Sequence, residues 1–266
     1  MPTQHRLILI TGASGAIGQA LALEYARAGH HLLLQGRRAD VLNALAEQCR
    51  QYGARAEPQI VDLTDIEARR HWLEQLRGDA LPDLVIANAG INISNNGEGE
   101  SPAHSQRLLE VNLQAPMMLA SQLAPAMRTR GSGQLVFISS LAAWYGLPVT
   151  PSYCASKAGI KAYGEALRGW LAPYGVGVSV VMPGYVSSPM ADAMLGPKPW
   201  EWHPERAARA IRRGVERNRA RISFPFPLNI GSWCLAVLPA AISQRLVIWL
   251  GYGSQLSDSK HRGNQP

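Results

Sequence analysis

The sequence predicts a doubly wound α/β fold, in which a parallel sheet lies between two layers of helices. Short apolar runs of strand length alternate with longer stretches of helical length, which is the pattern of βαβ units. The apolar runs are nearly continuous, as is typical of strands that are buried on both faces of a parallel sheet. Right-handed crossovers between such strands give the doubly wound topology. The apolar runs lie at 7–10, 32–34, 58–61, 84–87, 135–138 and 178–181, and the helical stretches at 16–28, 39–52, 66–77, 105–130 and 152–172.

Length and composition fit one domain of this kind with a short appendage. The chain has 266 residues, of which 47% are hydrophobic and 17% are charged. These values allow a sizeable core and exclude a chain that is disordered throughout. We expect one folded domain over residues 1–225, followed by an apolar extension and a polar tail over residues 226–266. Residues 92–105 are rich in Asn, Gly, Glu and Ser and are expected to form an exposed loop.

Charge and cysteine usage narrow the class of protein. The net charge is +7, which suits phosphorylated ligands, nucleic acid or an anionic membrane. The arginines crowd only at 206–221, without a zinc-finger or basic-zipper pattern, so we do not expect a nucleic-acid site. Three cysteines at long spacings support neither a disulfide framework nor a metal site. The run at 7–10 is too short for the core of a signal peptide, and we expect a cytoplasmic protein without a metal.

A glycine-rich turn follows the first predicted strand and opens the first predicted helix. Its glycines permit a tight turn and a close approach of the backbone to a pyrophosphate, which the helix N-terminus also attracts. A glycine string alone is a weak signal, and an ordinary strand-to-helix turn is the alternative. The strand before the turn and the helix after it favour a dinucleotide site. Its candidate residues are Gly12, Ser14, Gly15, Ile17 and Gly18.

The second predicted strand is followed by two arginines, Arg37 and Arg38. An acidic residue at this place would bind the ribose hydroxyls of NAD, and the sequence has none there. Arginines can instead form bidentate contacts with a 2′-phosphate. The alternative is a pair of solvent-exposed arginines at a helix start, where cations are unfavourable. We therefore expect NADP(H) as the preferred cofactor, with NAD(H) as the alternative.

A tyrosine and a lysine stand four residues apart on the last long predicted helix. This spacing places Tyr153 and Lys157 on one helix face, where the ammonium group is expected to lower the pKa of the phenol. A phenol so tuned can exchange a proton with a carbonyl oxygen. For this motif taken alone, a chance pair on a helix is the alternative.

Further motifs follow one another in a fixed order along the chain. A serine stands thirteen residues before the tyrosine, an Asn-Ala-Gly follows the fourth predicted strand and an asparagine lies on the next helix. An aspartate closes the third strand and a Pro-Gly follows the sixth. These residues are Ser140, Asn88, Ala89, Gly90, Asn112, Asp62, Pro183 and Gly184, followed by Val186 and Ser188. Each motif is weak by itself, but together they make the chain similar to the short-chain dehydrogenase/reductase family over about residues 7–190.

The resemblance implies a Rossmann-type fold and an oxidoreductase that moves hydride between a nicotinamide and a carbonyl or alcohol carbon. Tyr153 would be the general acid/base, Lys157 would bind the nicotinamide ribose, and Ser140 would hold the substrate oxygen. Asn112 would position a water in a proton relay, or would simply bond backbone within its helix. Ser139 is the alternative to Ser140. The cofactor would also contact Asp62, Asn88, Ala89, Gly90, Pro183, Gly184, Val186 and Ser188.

Two other functions stay open at this point. The spacing of Gly12, Gly15 and Gly18 is similar to that of the extended branch of the family, which includes epimerases and dehydratases. That branch generally has a longer C-terminal region and lacks Asn-Ala-Gly, so the shorter reductase branch is favoured. A cofactor-sensing module would not need Tyr153, Lys157 and Ser140 together.

In the family the long helices at 105–130 and 152–172 pair across a two-fold axis, and we expect a homodimer or homotetramer.

Residues 188–203 are expected to form a lid over a hydrophobic pocket for a small carbonyl or alcohol substrate. Prolines make the segment irregular and side chains such as Met190 and Trp200 make it apolar. Packing on the core without a role in substrate binding is the alternative. His203 followed by Pro204 predicts the start of a helix.

Residues 221–224 predict a seventh strand, and the chain beyond it is apolar. The uncharged stretch 228–244 is shorter than the roughly 20 apolar residues of a membrane-spanning helix, so a span is not expected. Two interpretations remain open. In the favoured one, the tail packs on the domain or on a second subunit and shapes the pocket. In the other, a helical hairpin lies on a membrane surface with Trp233, Trp249 and Tyr252 at the interface.

Overall fold

The computed structural model describes residues 6–92, 100–194 and 196–252, apart from the side chain of Asp79. Over these ranges, the strands are β1 (Leu7–Ile10), β2 (His31–Gly36), β3 (Arg55–Ile60), β4 (Leu84–Ala87), β5 (Gly133–Ile138), β6 (Val176–Pro183) and β7 (Arg221–Phe224). These seven parallel strands form a sheet in the order β3-β2-β1-β4-β5-β6-β7, which confirms the predicted fold class. The order reverses direction beside β1, as in a doubly wound sheet.

Helices cover both faces of the sheet, and each face has its own core. The helices are α1 (Ala16–Ala26), α2 (Ala39–Gln51), α3 (Ile66–Gln75), α4 (Pro102–Leu109), α5 (Ala115–Arg130), α6 (Pro151–Leu171), α7 (Pro189–Asp192), α8 (Pro204–Glu216), α9 (Leu228–Val237) and α10 (Ala240–Val247). Neighbouring residues of a strand point to opposite faces, so Ile8 packs with α1, α2 and α8, whereas Leu9 packs with α3, α5 and α6.

The third strand differs from its predicted bounds of 58–61. It begins at Arg55, because its register with β2 pairs Arg55 with His31 and continues to Ile60. The missing N–H of Pro58 is tolerated since β3 is an edge strand of the sheet. The apolar pattern failed here because an edge strand exposes polar side chains such as Arg55.

The single helix predicted at 105–130 is two helices joined by a π-helical turn, Glu110–Gln114. Helix α4 begins earlier than predicted because the Ser101 hydroxyl accepts a hydrogen bond from the His104 N–H at 3.3 Å, and Pro102 suits the first helical position. The predicted loop at 92–105 therefore ends at Ser101, and its residues 93–99 lie outside the described residues. The π-helical turn contains Asn112, and such turns often occur at functional sites.

The predicted lid at 188–203 is closed at its base by the backbone. Val186 forms a parallel bridge with Trp202, and the Trp202 N–H donates to the Tyr185 carbonyl at 3.0 Å. Between these ends lie α7 and irregular turns, with Leu195 outside the described residues. Helix α8 begins at Pro204 with His203 as its N-cap residue, as the sequence predicts.

After β7, the chain continues as a C-terminal hairpin, α9 and α10, followed by a π-helical turn, Ile248–Tyr252. Among the described residues, no helix has the length and apolar character that crossing a membrane requires. Residues 253–266 of the predicted tail lie outside the described residues, and the division at residue 225 stays a prediction.

Candidate active site

A cavity of about 1650 Å³ lies at the carboxyl ends of the central strands, the edge at which open α/β sheets bind ligands. Seventeen of the predicted site residues line it, whereas Gly18 and Asn112 lie behind its wall. The seventeen are Gly12, Ser14, Gly15, Ile17, Arg37, Arg38, Asp62, Asn88, Ala89, Gly90, Ser140, Tyr153, Lys157, Pro183, Gly184, Val186 and Ser188.

The glycine turn is folded tightly against the end of β4. Gly12 has a positive φ of +60°, and a Cβ built on it would lie 2.6 Å from Ala89 Cα. A Cβ on Gly18 would lie 2.4 Å from the Gly12 carbonyl oxygen, whereas one on Gly15 would meet that oxygen only at 3.4 Å. Close packing therefore requires glycine at positions 12 and 18, while Gly15 is exposed on the cavity side.

Thr11 and Asn88 hold this turn in place. The Thr11 hydroxyl oxygen accepts from the N–H groups of Asn88 at 3.0 Å and Ala89 at 3.1 Å. The Asn88 side-chain amide donates to the carbonyls of Thr11 and Gly12, both at 3.1 Å. Sequence reasoning missed Thr11, although a polar residue at the end of a buried apolar strand was a signal that it bonds backbone there.

Asp62 lies at the outer end of the cavity between two arginines. Its Oδ2 is 3.7 Å from Arg37 Nη1 and 3.9 Å from Arg107 Nη2, and its Oδ1 accepts from the N–H and hydroxyl of Thr64. Burial acts to raise the pKa of the Asp62 carboxyl, but the bonds from Thr64 and the two positive charges outweigh it, so this pKa is below its ordinary value.

Arg107 lies in the same part of the cavity as the two predicted arginines, Arg37 and Arg38. Arg38 donates to the Ser14 carbonyl, and Arg37, Arg38 and Arg107 all line the cavity. Arg37 is 57% exposed and Arg107 is 46% exposed. Sequence reasoning missed Arg107 because its position depends on how α4 crosses the sheet. This end of the cavity is therefore strongly positive and open to solvent.

Tyr153, Lys157 and Ser140 come together at the inner end. Helix α6 carries Tyr153 and Lys157 one turn apart, with Lys157 Nζ 5.6 Å from the centre of the Tyr153 ring. The loop after β5 brings Ser140 into a side-chain hydrogen bond with Tyr153. The buried Lys157 ammonium donates to the Ile138 carbonyl at 2.9 Å. The site thus holds a phenol, a hydroxyl and an ammonium within one pocket.

Ser139 and Ser140 have different surroundings. The Ser139 hydroxyl is buried and donates to the Lys157 backbone carbonyl at 2.7 Å. The Ser140 oxygen accepts from the Ala142 N–H at 3.1 Å and bonds Tyr153. In this geometry Ser140, and not Ser139, has its hydroxyl beside the phenol.

The expected lowering of the Tyr153 pKa is wrong for this structure. Burial raises the pKa of Tyr153 to about 12, against the opposing effect of the Ser140 hydrogen bond. Burial likewise lowers the pKa of Lys157 to about 8. The prediction failed because it considered the charge of Lys157 without the loss of hydration that both side chains undergo in the pocket.

Asn112 is buried behind Lys157. Its amide donates to the Ile91 carbonyl and accepts from the Ile91 N–H, both at 2.8 Å, and it also donates to Ser156 Oγ at 3.2 Å. A Cβ on Gly90 would lie 3.3 Å from Asn112 Oδ1 and 3.4 Å from Lys157 Nζ. Asn112 therefore bonds the backbone of a neighbouring segment, not its own helix, and glycine at position 90 lets the two side chains approach.

The lid and the tail meet at a pair of tyrosines. The Tyr185 hydroxyl donates to the Tyr252 hydroxyl at 3.2 Å, which in turn donates to the Pro197 carbonyl at 2.8 Å. Tyr252 is buried and its hydroxyl binds the lid, in contrast to the alternative interpretation of the sequence, which places it at a membrane interface. Sequence reasoning also missed Tyr185, which lines the cavity directly after Gly184.

The tail forms the apolar wall of the cavity, as in the favoured interpretation of the sequence. The tail contributes Leu228, Leu235, Leu238, Leu246 and Val247. The rest of the apolar lining includes Leu141 and Tyr145 from the loop after β5, and Met190 and Met194 from the lid.

Comparison with known proteins agrees with this geometry. Residues 6–197 match the family model for short chain dehydrogenases. An oxidoreductase from Myxococcus xanthus is 33% identical over 88% of this chain and 93% of that protein. The 11-beta-hydroxysteroid dehydrogenase-like 4A of Arabidopsis thaliana is 28% identical over 88% of this chain and 81% of that protein. The crystal structure of a short-chain dehydrogenase from Sphingobium yanoikuyae in complex with NADPH covers 91% of this chain and 94% of that one, at 27% identity and a TM-score of 0.80. The chain therefore belongs to the short-chain dehydrogenase/reductase family of NAD(P)-dependent oxidoreductases.

Proposed function

We propose that the chain uses NADP(H) to interconvert a carbonyl group and an alcohol on an apolar small molecule. The observation that carries the proposal is the hydrogen-bonded Tyr153–Ser140 pair beside Lys157, in the same cavity as the glycine turn. The test is NADPH oxidation, followed by absorbance, with a panel of ketones and acyl ketones. Conversion of nucleotide-sugars without net NADPH oxidation would support an epimerase of the extended branch instead.

The described residues fit a dinucleotide. No side chain caps the first turn of α1, so its N–H groups are available to a pyrophosphate. Arg37, Arg38 and Arg107 gather where a 2′-phosphate would bind, and the opposite end of the same cavity reaches Tyr153. The similar Sphingobium yanoikuyae enzyme is in complex with NADPH, which supports the choice of cofactor.

Each residue at the inner end has a distinct role in the proposed reaction. The bound nicotinamide supplies or accepts the hydride. The Tyr153 phenol donates its proton to the substrate oxygen during reduction, while the Ser140 hydroxyl holds that oxygen in place. The Lys157 ammonium is fixed by the Ile138 carbonyl and binds the nicotinamide ribose. Asn112 is a positioning residue that holds the segment at Ile91 against Lys157.

The pH dependence of reduction follows from the two buried groups. With a pKa of about 12, Tyr153 stays protonated as reduction requires, whereas Lys157 loses its charge as the pH rises through about 8. We therefore expect kcat/KM for carbonyl reduction to be constant below this value and to fall above it. Initial rates with NADPH over a pH series measure this, and a profile that stays level well above the Lys157 pKa would contradict it.

The difference in affinity between NADPH and NADH tests whether Arg37 and Arg38 bind the 2′-phosphate. NADPH should bind about tenfold or more tightly than NADH, since hydrogen bonds to a charged group contribute about 1.5–3 kcal/mol. Replacing Arg37 and Arg38 together by Ala should remove most of the difference and leave only the contribution of Arg107, as measured by fluorescence titration. Arg70→Ala, an exposed arginine paired with Glu67 on α3, is the control and should keep it. Equal affinities in the parent protein would refute the assignment.

The apolar wall formed by the lid and the tail suits a hydrophobic carbonyl or alcohol substrate.

The long helices α5 and α6 have exposed apolar side chains that a second subunit could cover. Met118 is 36% exposed and Trp170 is 52% exposed. Pairing through α5 and α6, as the family resemblance implies, would cover such side chains in a homodimer or homotetramer.

A further inference from the structure

The C-terminal hairpin presents a large apolar surface to solvent. Soluble monomers rarely expose contiguous apolar patches of this kind. Helices α9 and α10 are held together, with Ser243 Oγ donating to the Leu235 carbonyl at 2.8 Å. Trp249 is 80% exposed and Phe226 is 74% exposed. We call the exposed set the tail surface: Phe226, Ile230, Trp233, Val237, Leu238, Ile242, Ile248, Trp249 and Leu250.

Four side chains of the tail surface also line the cavity. Phe226, Ile230, Leu238 and Leu250 are at least 38% exposed, and the same four side chains line the cavity. They therefore form an apolar rim between solvent and the pocket that contains Tyr153. An apolar substrate that reaches the rim through water must first expose its apolar surface to water, which is unfavourable. A substrate that reaches the rim directly from an apolar phase avoids this cost.

The described part of the tail carries no negative charge. Residues 225–252 contain no Asp or Glu and one cation, Arg245. Arg245 is exposed on α10. An apolar helical surface with tryptophans and a cation, but without carboxylates of its own, is complementary to the surface of an anionic bilayer.

The segment after the hairpin is anchored to the lid by polar bonds. Tyr252 bonds both Tyr185 and the Pro197 carbonyl. Some apolar side chains of the hairpin, such as Leu235 and Leu246, line the cavity, whereas those of the tail surface face solvent. The hairpin therefore has one apolar side toward the cavity and another toward solvent.

From these observations we infer that the tail surface docks on an anionic lipid bilayer, from which the pocket takes its carbonyl substrate. The second part rests on the proposed function. A second protein copy seated on the tail surface would cover the four rim residues and close the route to the pocket. A bilayer would cover the same residues and supply the apolar substrate through them.

Vesicle flotation tests the docking without any enzyme assay. The full chain is mixed with vesicles of phosphatidylcholine and phosphatidylglycerol, or of phosphatidylcholine alone. We expect it to float with the anionic vesicles and less with the neutral ones. In the double variant Trp233→Gln and Trp249→Gln, partition should fall by at least about tenfold, since each aromatic side chain carries roughly 150–250 Å² of surface. Neither tryptophan lines the cavity.

The matched control changes two exposed side chains at the opposite edge of the sheet. Tyr52→Gln with Ile66→Gln alters residues that are 49% and 63% exposed near β3, far from β7 in the strand order. This variant should float as the parent does. If the parent stays out of the vesicle fraction, or if the tryptophan variant floats equally well, the inference is wrong.

Two further readouts separate the possible failures. If the tryptophan variant converts a dimer to a monomer in light scattering, the tail surface is a subunit interface and the bilayer inference is overturned. NADPH oxidation with a water-soluble ketone should be the same in the parent and the tryptophan variant. Flotation without any NADPH oxidation would refute the proposed function but leave the docking intact, and oxidation without flotation would do the reverse.

Discussion

Replacement of Tyr153 by Phe is expected to lower kcat for carbonyl reduction by about 10²–10⁴-fold, the usual contribution of a positioned acid/base group. The ring is kept and only the hydroxyl that bonds Ser140 is lost. The affinity for NADPH should change little, because the ring still fills the same space beside Lys157. Steady-state rates on a verified ketone, together with a cofactor titration, measure both quantities.

The control for this variant is Tyr163→Phe on the same helix. The Tyr163 hydroxyl donates to the Met117 carbonyl at a long 3.4 Å, and Tyr163 does not line the cavity. It should retain parental turnover. A Tyr153→Phe enzyme that keeps most of its activity would show that another group supplies the proton.

Gly18→Ala should be strongly damaging for so small a substitution in the cofactor turn. Alanine within a helix normally stabilises relative to glycine by roughly 0.5–1 kcal/mol. Here the added Cβ would lie 2.4 Å from the Gly12 carbonyl oxygen and 2.8 Å from Ala13 Cα, which are backbone atoms that cannot rotate away. Such overpacking typically costs about 1–3 kcal/mol, so we expect a lower free energy of unfolding together with weaker cofactor binding.

Gly15→Ala is the matched comparison in the same turn. A Cβ at this exposed position would meet only the Gly12 oxygen, at 3.4 Å, and the backbone φ of −83° suits any residue. Urea unfolding without cofactor should therefore give a free energy within about 0.5 kcal/mol of the parent. Equal stability of the two alanine variants would show that the turn can relax around position 18.

The sequence predicted the elements whose pattern is set by burial on both faces. The apolar runs at β1 and β4 were found with their observed bounds, because every side chain of such a strand is apolar. The polar edge strand β3 and the π-helical turn at Asn112 were missed in part, since neither has an apolar period of its own. Element patterns therefore fail where one side of the chain faces water or where the helix changes its hydrogen bonding.

The candidate site was predictable where a residue acts through a motif of fixed spacing. Ser140, Tyr153 and Lys157 were assigned from their spacing together with the family resemblance, and the structure brings them together. Arg107, Tyr185 and Tyr252 depend on how loops place α4, the lid and the tail, which no local pattern encodes. The pKa of Tyr153 was also beyond the sequence, because burial is a property of the folded pocket.

The bridge between Val186 and Trp202 has a consequence for how the enzyme can diversify. Because the two ends of the lid are joined at their base, we expect changes in the segment between them to leave β6 and α8 in place. Trp202 also stacks on Phe224 with ring centres 4.7 Å apart, which ties that base to the end of the sheet. We therefore expect that grafting the corresponding loop of a relative between these two residues, with the bond from Tyr252 to the carbonyl at position 197 kept, would change the substrate range on an unchanged catalytic framework.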